Sequence, residues 1–247
     1  MRVKAAKHTN KKSIIEWRSH EPLRLETFSD AVFAFAVTLI IVSLEVPKSF
    51  AELFETMKGT ISFAACFTIL FLIWNSQNLF FRRYGLNDTW TAALNGMLLF
   101  VVLIFAYPLK FLFGLLFSFS DATYTTNGKA HSMITEIQIP ELMLIYGAGY
   151  TIIYLLFYLM YSNARRQAHE LKLNARELYE TQTIAYINLI CACIGITTII
   201  LAWLLPLNYS GLSGFFYFMI PLAYFFWFSY RGKKSKKKFE VSGQQAS

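Results

Sequence analysis

The stretch FSDAVFAFAVTLIIVSLEV, residues 28–46, is the first long apolar run of the chain. Asp30 and Glu45 are its only charged residues. At a rise of about 1.5 Å per residue it spans roughly 28 Å, which is about the thickness of the hydrocarbon core of a bilayer. A carboxylate this close to a membrane-spanning segment is costly unless it has a partner. The run therefore predicts a transmembrane helix in which Asp30 has a specific role.

The composition of the whole chain agrees with a membrane protein. Of its 247 residues, 55% are hydrophobic and only 15% are charged, whereas about a quarter of the residues of a soluble domain are charged. Six apolar runs are each long enough to cross a bilayer, at residues 28–46, 59–81, 91–117, 142–161, 183–205 and 212–230. The sequence thus predicts an all-α, polytopic membrane protein with six transmembrane helices.

Lysines and arginines are concentrated on one side of the predicted membrane. If both termini are cytoplasmic, the outer connectors contain only Lys48, Lys58 and Lys129. Because basic residues are enriched in cytoplasmic loops, we expect a multi-pass protein of the cell inner (plasma) membrane with both termini in the cytoplasm. The expected organisation is a basic cytoplasmic arm, a six-helix transmembrane domain and a basic cytoplasmic tail, at residues 1–22, 23–230 and 231–247.

Motifs for catalysis and for metal or cofactor binding are missing from the sequence. The three cysteines have no metal-ligand spacing, and no Gly-rich phosphate loop, HExxH motif or nucleophile elbow occurs. We therefore predict no enzyme activity, no catalytic residue, no metal and no cofactor. The net charge of +8 is gathered at the ends and in connectors, so we expect no nucleic-acid partner. The tail sequence KKSKKK, residues 233–238, either binds anionic membrane lipids or acts as a topology signal.

Helical periodicity divides the first run into two faces. A single stripe about 80° wide contains Ala31, Phe35, Thr38, Leu39, Val42 and Val46. Asp30 lies on the other side, so it does not share a face with that stripe. Two interpretations remain open. Either the stripe lines a narrow pore and Asp30 is tied to a cation such as Arg24, or Asp30 faces a cavity and carries ions or protons while the stripe is packing.

The residues around Asp30 form a specific pattern. Arg24-Leu-Glu-Thr-Phe28-Ser29-Asp30, followed by AVFAFAVTLIIVSLEVP, resembles the Arg-x-x-x-Phe-Ser-Asp signature of the transmembrane protein 175 family of potassium channels, in its single-repeat bacterial form. The resemblance covers about residues 20–230. It implies a homotetramer whose first helices surround a central pore, with potassium as the permeant ion.

The resemblance also implies roles for individual residues of the stripe. In that family, bulky apolar residues shortly after the motif form a constriction, and a threonine layer contributes to selectivity. Carried onto this sequence, Phe35 forms the constriction, Thr38 forms the threonine layer, and Leu39 and Val42 continue the same face. Family members usually carry isoleucine or leucine where Phe35 stands, so four phenylalanines are expected to narrow the axis further.

The second run ends in the polar residues Trp74, Asn75 and Asn78. Where family members often present a histidine after the tryptophan, this chain has Asn75, Gln77 and Asn78. One interpretation is that the amides of Asn75 and Asn78 hydrogen-bond Ser29 or Asp30 and support the first helix, because unsatisfied polar groups in hydrocarbon are costly. The other is that Trp74 anchors the helix among the cytoplasmic head groups.

Two further features of the apolar runs have simple interpretations. Lys110 in the third run either pairs with Glu45 or extends its amine outward to the membrane surface. The sequence YGAGY, residues 146–150, superficially resembles the TVGYG potassium filter, but it lies within a continuous apolar run. A carbonyl filter needs an extended re-entrant loop, so we predict that these glycines permit close helix packing instead.

Together, these features predict a potassium channel that selects potassium over sodium at a hydrophobic first-helix constriction, without a TVGYG filter. An alternative is a proton-coupled transporter or proton pathway that uses Asp30 as the titrating group. A third hypothesis is a non-conducting membrane scaffold whose basic tail recruits lipids or proteins.

Overall fold

The computed structural model describes residues 18, 21–42, 48–50, 53–54, 57, 59–117, 123–126, 129–132 and 134–244. Within these residues the α-helices are α1 (Arg24–Val42), α2 (Thr60–Tyr84), α3 (Thr89–Leu116), α4 (Ile139–Arg166), α5 (Ala175–Leu204) and α6 (Met219–Gln244). The helices α2 to α5 and the segment Tyr209–Lys238 are long and apolar enough to cross a membrane, and α1, described for 19 residues, is not among these five. The predicted all-α, multi-pass fold is confirmed.

The structure differs from the sequence prediction in two segments. The segment before α4 contains an antiparallel hairpin of β1 (Thr123–Thr126) and β2 (Lys129–Ser132), which the all-α prediction did not include. Asn-Gly, a strong hairpin signal, separates the two strands in the sequence. The sixth run begins as a 3₁₀ helix, Leu207–Phe218, which contains two glycines that disfavour an α-helix.

Caps define three of the helix ends, namely the end of α2 and the starts of α3 and α5. Gly85, in the left-handed conformation with φ 59°, ends α2, and the Asp88 side chain accepts from the backbone N–H of Thr91 to begin α3. A capping box between Asn174 and Glu177 begins α5. Helix α4 extends beyond its apolar run to Arg166, and α5 begins at Ala175, before its apolar run.

The core lies where α1 to α4 meet. Its largest fully buried apolar side chains include Phe80 and Phe81 of α2, Leu98 of α3 and Met160 of α4. Helix α1 packs against α2 and α3, and α4 packs along α5.

Two glycines of α4 allow close helix packing. A Cβ atom at Gly147 would clash with Ile199 of α5, and one at Gly149 would clash with the Phe105 ring of α3. The segment that resembles a filter sequence is therefore part of a continuous helix, and its glycines serve packing.

Candidate pore-lining helix

Helix α1 packs on the rest of the chain with one face only. Its buried positions repeat with helical spacing and are Ser29, Phe33, Ala36 and Ile40. On the opposite face, 57% of Phe35 and 42% of Leu39 are exposed, and Thr38 between them is exposed too. The predicted stripe is therefore not covered by the core of its own chain. The Val42 side chain lies outside the described part of the structure.

A buried chain of hydrogen bonds fixes the packed face of α1. The Asn95 Nδ2 of α3 donates to Ser29 Oγ at 2.9 Å, and Ser29 Oγ donates to the Leu25 carbonyl at 2.8 Å. The Gln77 Nε2 of α2 donates to Asn95 Oδ1 at 2.6 Å. Because all three side chains are almost completely buried, these bonds satisfy polar groups that would otherwise be costly in an apolar core. The side-chain bonds from Gln77 to Asn95 and from Asn95 to Ser29 link α1, α2 and α3 to one another.

Asp30 has a different partner from the one that the sequence suggested. Its Oδ1 accepts from the Trp74 indole Nε1 at 2.7 Å, and within the described residues no ion pair joins it to Arg24, which is exposed. The reason is geometric. Residues six apart in an α-helix lie about 9 Å apart along the axis and about 120° apart around it. Arg24 and Asp30 therefore do not share a face, and the cation proposed for Asp30 is replaced by an indole donor.

The second helix supports α1 through residues other than the expected amides. Asn75 is exposed and Asn78 is half-buried, and neither side chain makes a hydrogen bond to any residue that the structure describes. Gln77 was not among the predicted supporting residues, yet it shares a helix face with Trp74, three residues earlier. Two signals in the sequence point to these residues. Gln77 has helical spacing from Trp74, and Asn95 is a polar residue within an apolar run, where burial without a partner is costly.

Lys110 contacts the C-terminal part of α1. Its Nζ donates to the Ile40 carbonyl at 3.4 Å, whereas we expected an ion pair with Glu45 or an outward extension. Glu45 lies outside the described residues. A cation beside the last carbonyls of a helix is favourable because the helix dipole places partial negative charge there.

The Asp88 carboxylate stabilises the turn between α2 and α3. It accepts from Thr91 Oγ1 at 2.6 Å and from Asn163 Nδ2 at 3.3 Å. Burial opposes its ionisation, but the hydrogen bonds from Thr91, Gln167 and Asn163 together lower the pKa of this carboxyl below its ordinary value.

Comparison with known proteins relates this helix to a function. The model of the family described as "Endosomal/lysosomal potassium channel TMEM175" matches residues 24–106, which contain α1, α2 and most of α3. A protein named "Potassium channel" from Marivirga tractuosa is 35% identical over 221 residues, covering 85% of this chain and 88% of that protein. The chain belongs to the TMEM175 family of potassium channels.

The fold agrees with this membership. A crystal structure of a variant of the potassium channel MtTMEM175, in complex with a nanobody–MBP fusion protein, superposes with a TM-score of 0.77 at 33% identity. The match covers 92% of this chain and 98% of that one. "Potassium channel Cha6605_3372" from Chamaesiphon minutus is 27% identical over 93 residues, 34% of this chain and 46% of that protein. TMEM175 proteins are ion channels, so the prediction that the chain is not an enzyme is confirmed.

Proposed function

We propose that this protein is a homotetrameric channel that conducts potassium in preference to sodium, with the α1 helices of four subunits around a central pore. The observation that carries the proposal is the exposed stripe of Phe35, Thr38 and Leu39 on a helix whose opposite face is buried. In a pore formed by four copies of α1, this stripe faces the pore axis, whereas the core of its own chain does not cover it. Val42 continues the stripe by helical spacing.

In this proposal Phe35 forms the narrowest ring and Thr38 the only polar ring of the stripe. The Thr38 hydroxyl donates to the Ala34 carbonyl at 2.8 Å, so the lone pairs of its oxygen remain available to a cation. An apolar ring also permits gating by dewetting. Selectivity then arises where ions lose water next to Thr38, and the helical conformation of residues 146–150 supports a mechanism without a carbonyl filter.

The Arg-x-x-x-Phe-Ser-Asp motif has a supporting role in the same proposal. Ser29 and Asp30 attach α1 to Asn95 and Trp74, so the motif orients the stripe rather than carrying ions. Phe28 is exposed at the inner end of α1, and we assign it to contacts between subunits. A proton-transporting role for Asp30 has less support, because its carboxylate is engaged by the indole.

The proposed orientation places both termini in the cytoplasm of a cell with the channel in its inner (plasma) membrane. The boundaries of the basic arm, the channel domain and the basic tail stay as predicted, at residues 1–22, 23–230 and 231–247. Helix α6 continues through the tail to Gln244, and Arg231 attaches it to α5 by stacking over the Tyr179 ring at 3.8 Å. The lysines beyond Arg231 are exposed, which suits contact with anionic lipid head groups. Nucleic acid has no part in the proposal.

The test is ion flux in proteoliposomes loaded with potassium or sodium. We expect potassium to permeate faster than sodium, and Thr38→Ala to shift the reversal potential in a mixed gradient toward equal permeability. Thr68→Ala is the matched control, because Thr68 is also exposed and donates to the carbonyl four residues earlier at 2.8 Å. Absence of flux from the wild type would favour the scaffold hypothesis. A Thr38→Ala reversal potential equal to the control's would remove Thr38 from the selectivity mechanism.

A further inference from the structure

Arg18, which precedes α1, is bound by a carboxylate and by backbone carbonyl groups at the proposed cytoplasmic side of the protein. Its guanidinium donates from Nη1 and Nη2 to the two carboxylate oxygens of Glu177, at 3.2 and 2.9 Å. Its Nε donates to the Leu171 carbonyl at 2.9 Å, and its backbone N–H donates to the Arg82 carbonyl at 3.2 Å. We call Arg18, Glu177 and these two carbonyl groups the Arg18 latch.

The latch is built into the fold and differs from an ordinary surface ion pair. Only 19% of the Arg18 side chain and 4% of the Glu177 side chain are exposed. Glu177 is also fixed by the capping box of α5, because its Oε2 accepts from the Asn174 N–H at 3.1 Å and its own N–H donates to Asn174 Oδ1 at 2.8 Å. The carboxylate is therefore held in place for the planar, two-pronged guanidinium.

The position of the latch relates it to the pore helix. Arg18 lies six residues before the first residue of α1, a separation that the chain can span over at most about 20 Å. The hydrogen bonds of Arg18 therefore tie the inner end of α1 to three other elements. These are the end of α2 through Arg82, the turn between α4 and α5 through Leu171, and the start of α5 through Glu177. The Ser29 and Asp30 contacts reach only α2 and α3, so the latch links α1 to elements that those contacts do not reach.

We propose that Arg18 and Glu177 are positioning residues for ion conduction, and that the latch holds the inner end of α1 where the Phe35 ring is narrow. This inference rests on the proposed function, in which α1 lines the pore. Bonds made in one arrangement of a helix and lost in another favour the first arrangement. Release of the latch therefore shifts α1 toward arrangements in which the four Phe35 side chains are further apart, and the open probability rises.

The experiment is single-channel recording of the full-length protein in planar bilayers. Arg18→Gln and Glu177→Gln each remove the charge pair, and glutamine preserves the capping box at position 177. We expect each variant to raise the open probability by about fivefold or more, and the double variant to raise it no further than either single one, because both remove the same interaction. The matched control is Arg176→Gln, which removes only a more exposed ion pair with Glu180 on the same helix and is expected to leave the open probability unchanged.

Other outcomes overturn the proposal. The proposal is refuted if variants that still assemble have an unchanged or lower open probability. It is also refuted if the double variant shows the product of the two single effects. If the glutamine variants do not assemble, Arg18→Lys keeps the charge but loses the two-pronged geometry, and an open probability equal to that of the wild type would then refute the latch. A wild type without potassium current would refute the proposed function itself, whereas a conducting wild type with unaffected variants would refute only the latch.

Discussion

The clearest consequence of the α1 packing concerns Asn95, which is completely buried and bonded to both neighbouring helices. Asn95→Ala removes the acceptor for Gln77 and a donor to Ser29. Leaving a buried polar group unsatisfied costs about 1–3 kcal/mol in soluble proteins, but hydrogen bonds between transmembrane helices average only about 0.6 kcal/mol, with a maximum near 1.7. For two lost bonds in a largely dry core, we expect a decrease of about 2 kcal/mol in the free energy of unfolding.

The measurement is reversible unfolding in mixed detergent micelles, with Asn75→Ala as the control. Asn75 is an exposed asparagine of α2 whose side chain makes no hydrogen bond to any described residue, so its replacement should change stability by less than about 0.5 kcal/mol. If Asn95→Ala loses no more stability than Asn75→Ala, the buried hydrogen bonds do not hold α1 in place, and the assignment of its two faces loses its main structural support.

Three further predictions concern the stripe, the motif and the turn between α2 and α3. Phe35→Ala should raise the single-channel potassium conductance because it widens the narrowest ring, and an unaltered current would remove Phe35 from the constriction. Asp30→Asn should keep potassium flux while lowering the stability of the assembled protein by about 1 kcal/mol, because Trp74 then donates to a neutral oxygen; lost flux with intact assembly would favour the proton pathway instead. Folding lowers the pKa of Asp88, so its ionised form stabilises the folded protein. The wild type should therefore be more stable than Asp88→Asn at neutral pH, and this advantage is lost progressively as the pH falls below about 4. Melting temperatures at pH 7 and pH 3.5 measure this difference, and an equal difference at both pH values would contradict it.

Much of the fold could be predicted from the sequence because its signals are local. Apolar runs of bilayer length identify the helices, and the 3.6-residue period alone places Phe35, Thr38 and Leu39 on one face of α1. The structure adds that this face is the uncovered one, which periodicity alone does not reveal because both faces of a membrane helix are apolar.

The partners of the polar residues could not be predicted in the same way. The bond between Asp30 and Trp74 joins residues 44 apart, and that between Arg18 and Glu177 joins residues 159 apart. Such pairs depend on how helices are arranged, and no repeat in the sequence encodes them. The expected pairing between Arg24 and Asp30 is wrong because residues that are close in sequence can lie on different faces of a helix. The hairpin has a local signal, the Asn-Gly pair between its strands.

Silver-ion block of an introduced thiol on α1 tests whether the stripe lines the ion pathway. Cys66, Cys191 and Cys193 are first replaced by serine or alanine, and Thr38→Cys is then compared with Ala36→Cys, two residues away on the buried face. If the α1 stripe lines the ion pathway, micromolar silver will stop potassium flux through Thr38→Cys and leave Ala36→Cys and the cysteine-free protein conducting. Flux through Thr38→Cys that persists in silver, while all three proteins conduct, would show that potassium passes elsewhere.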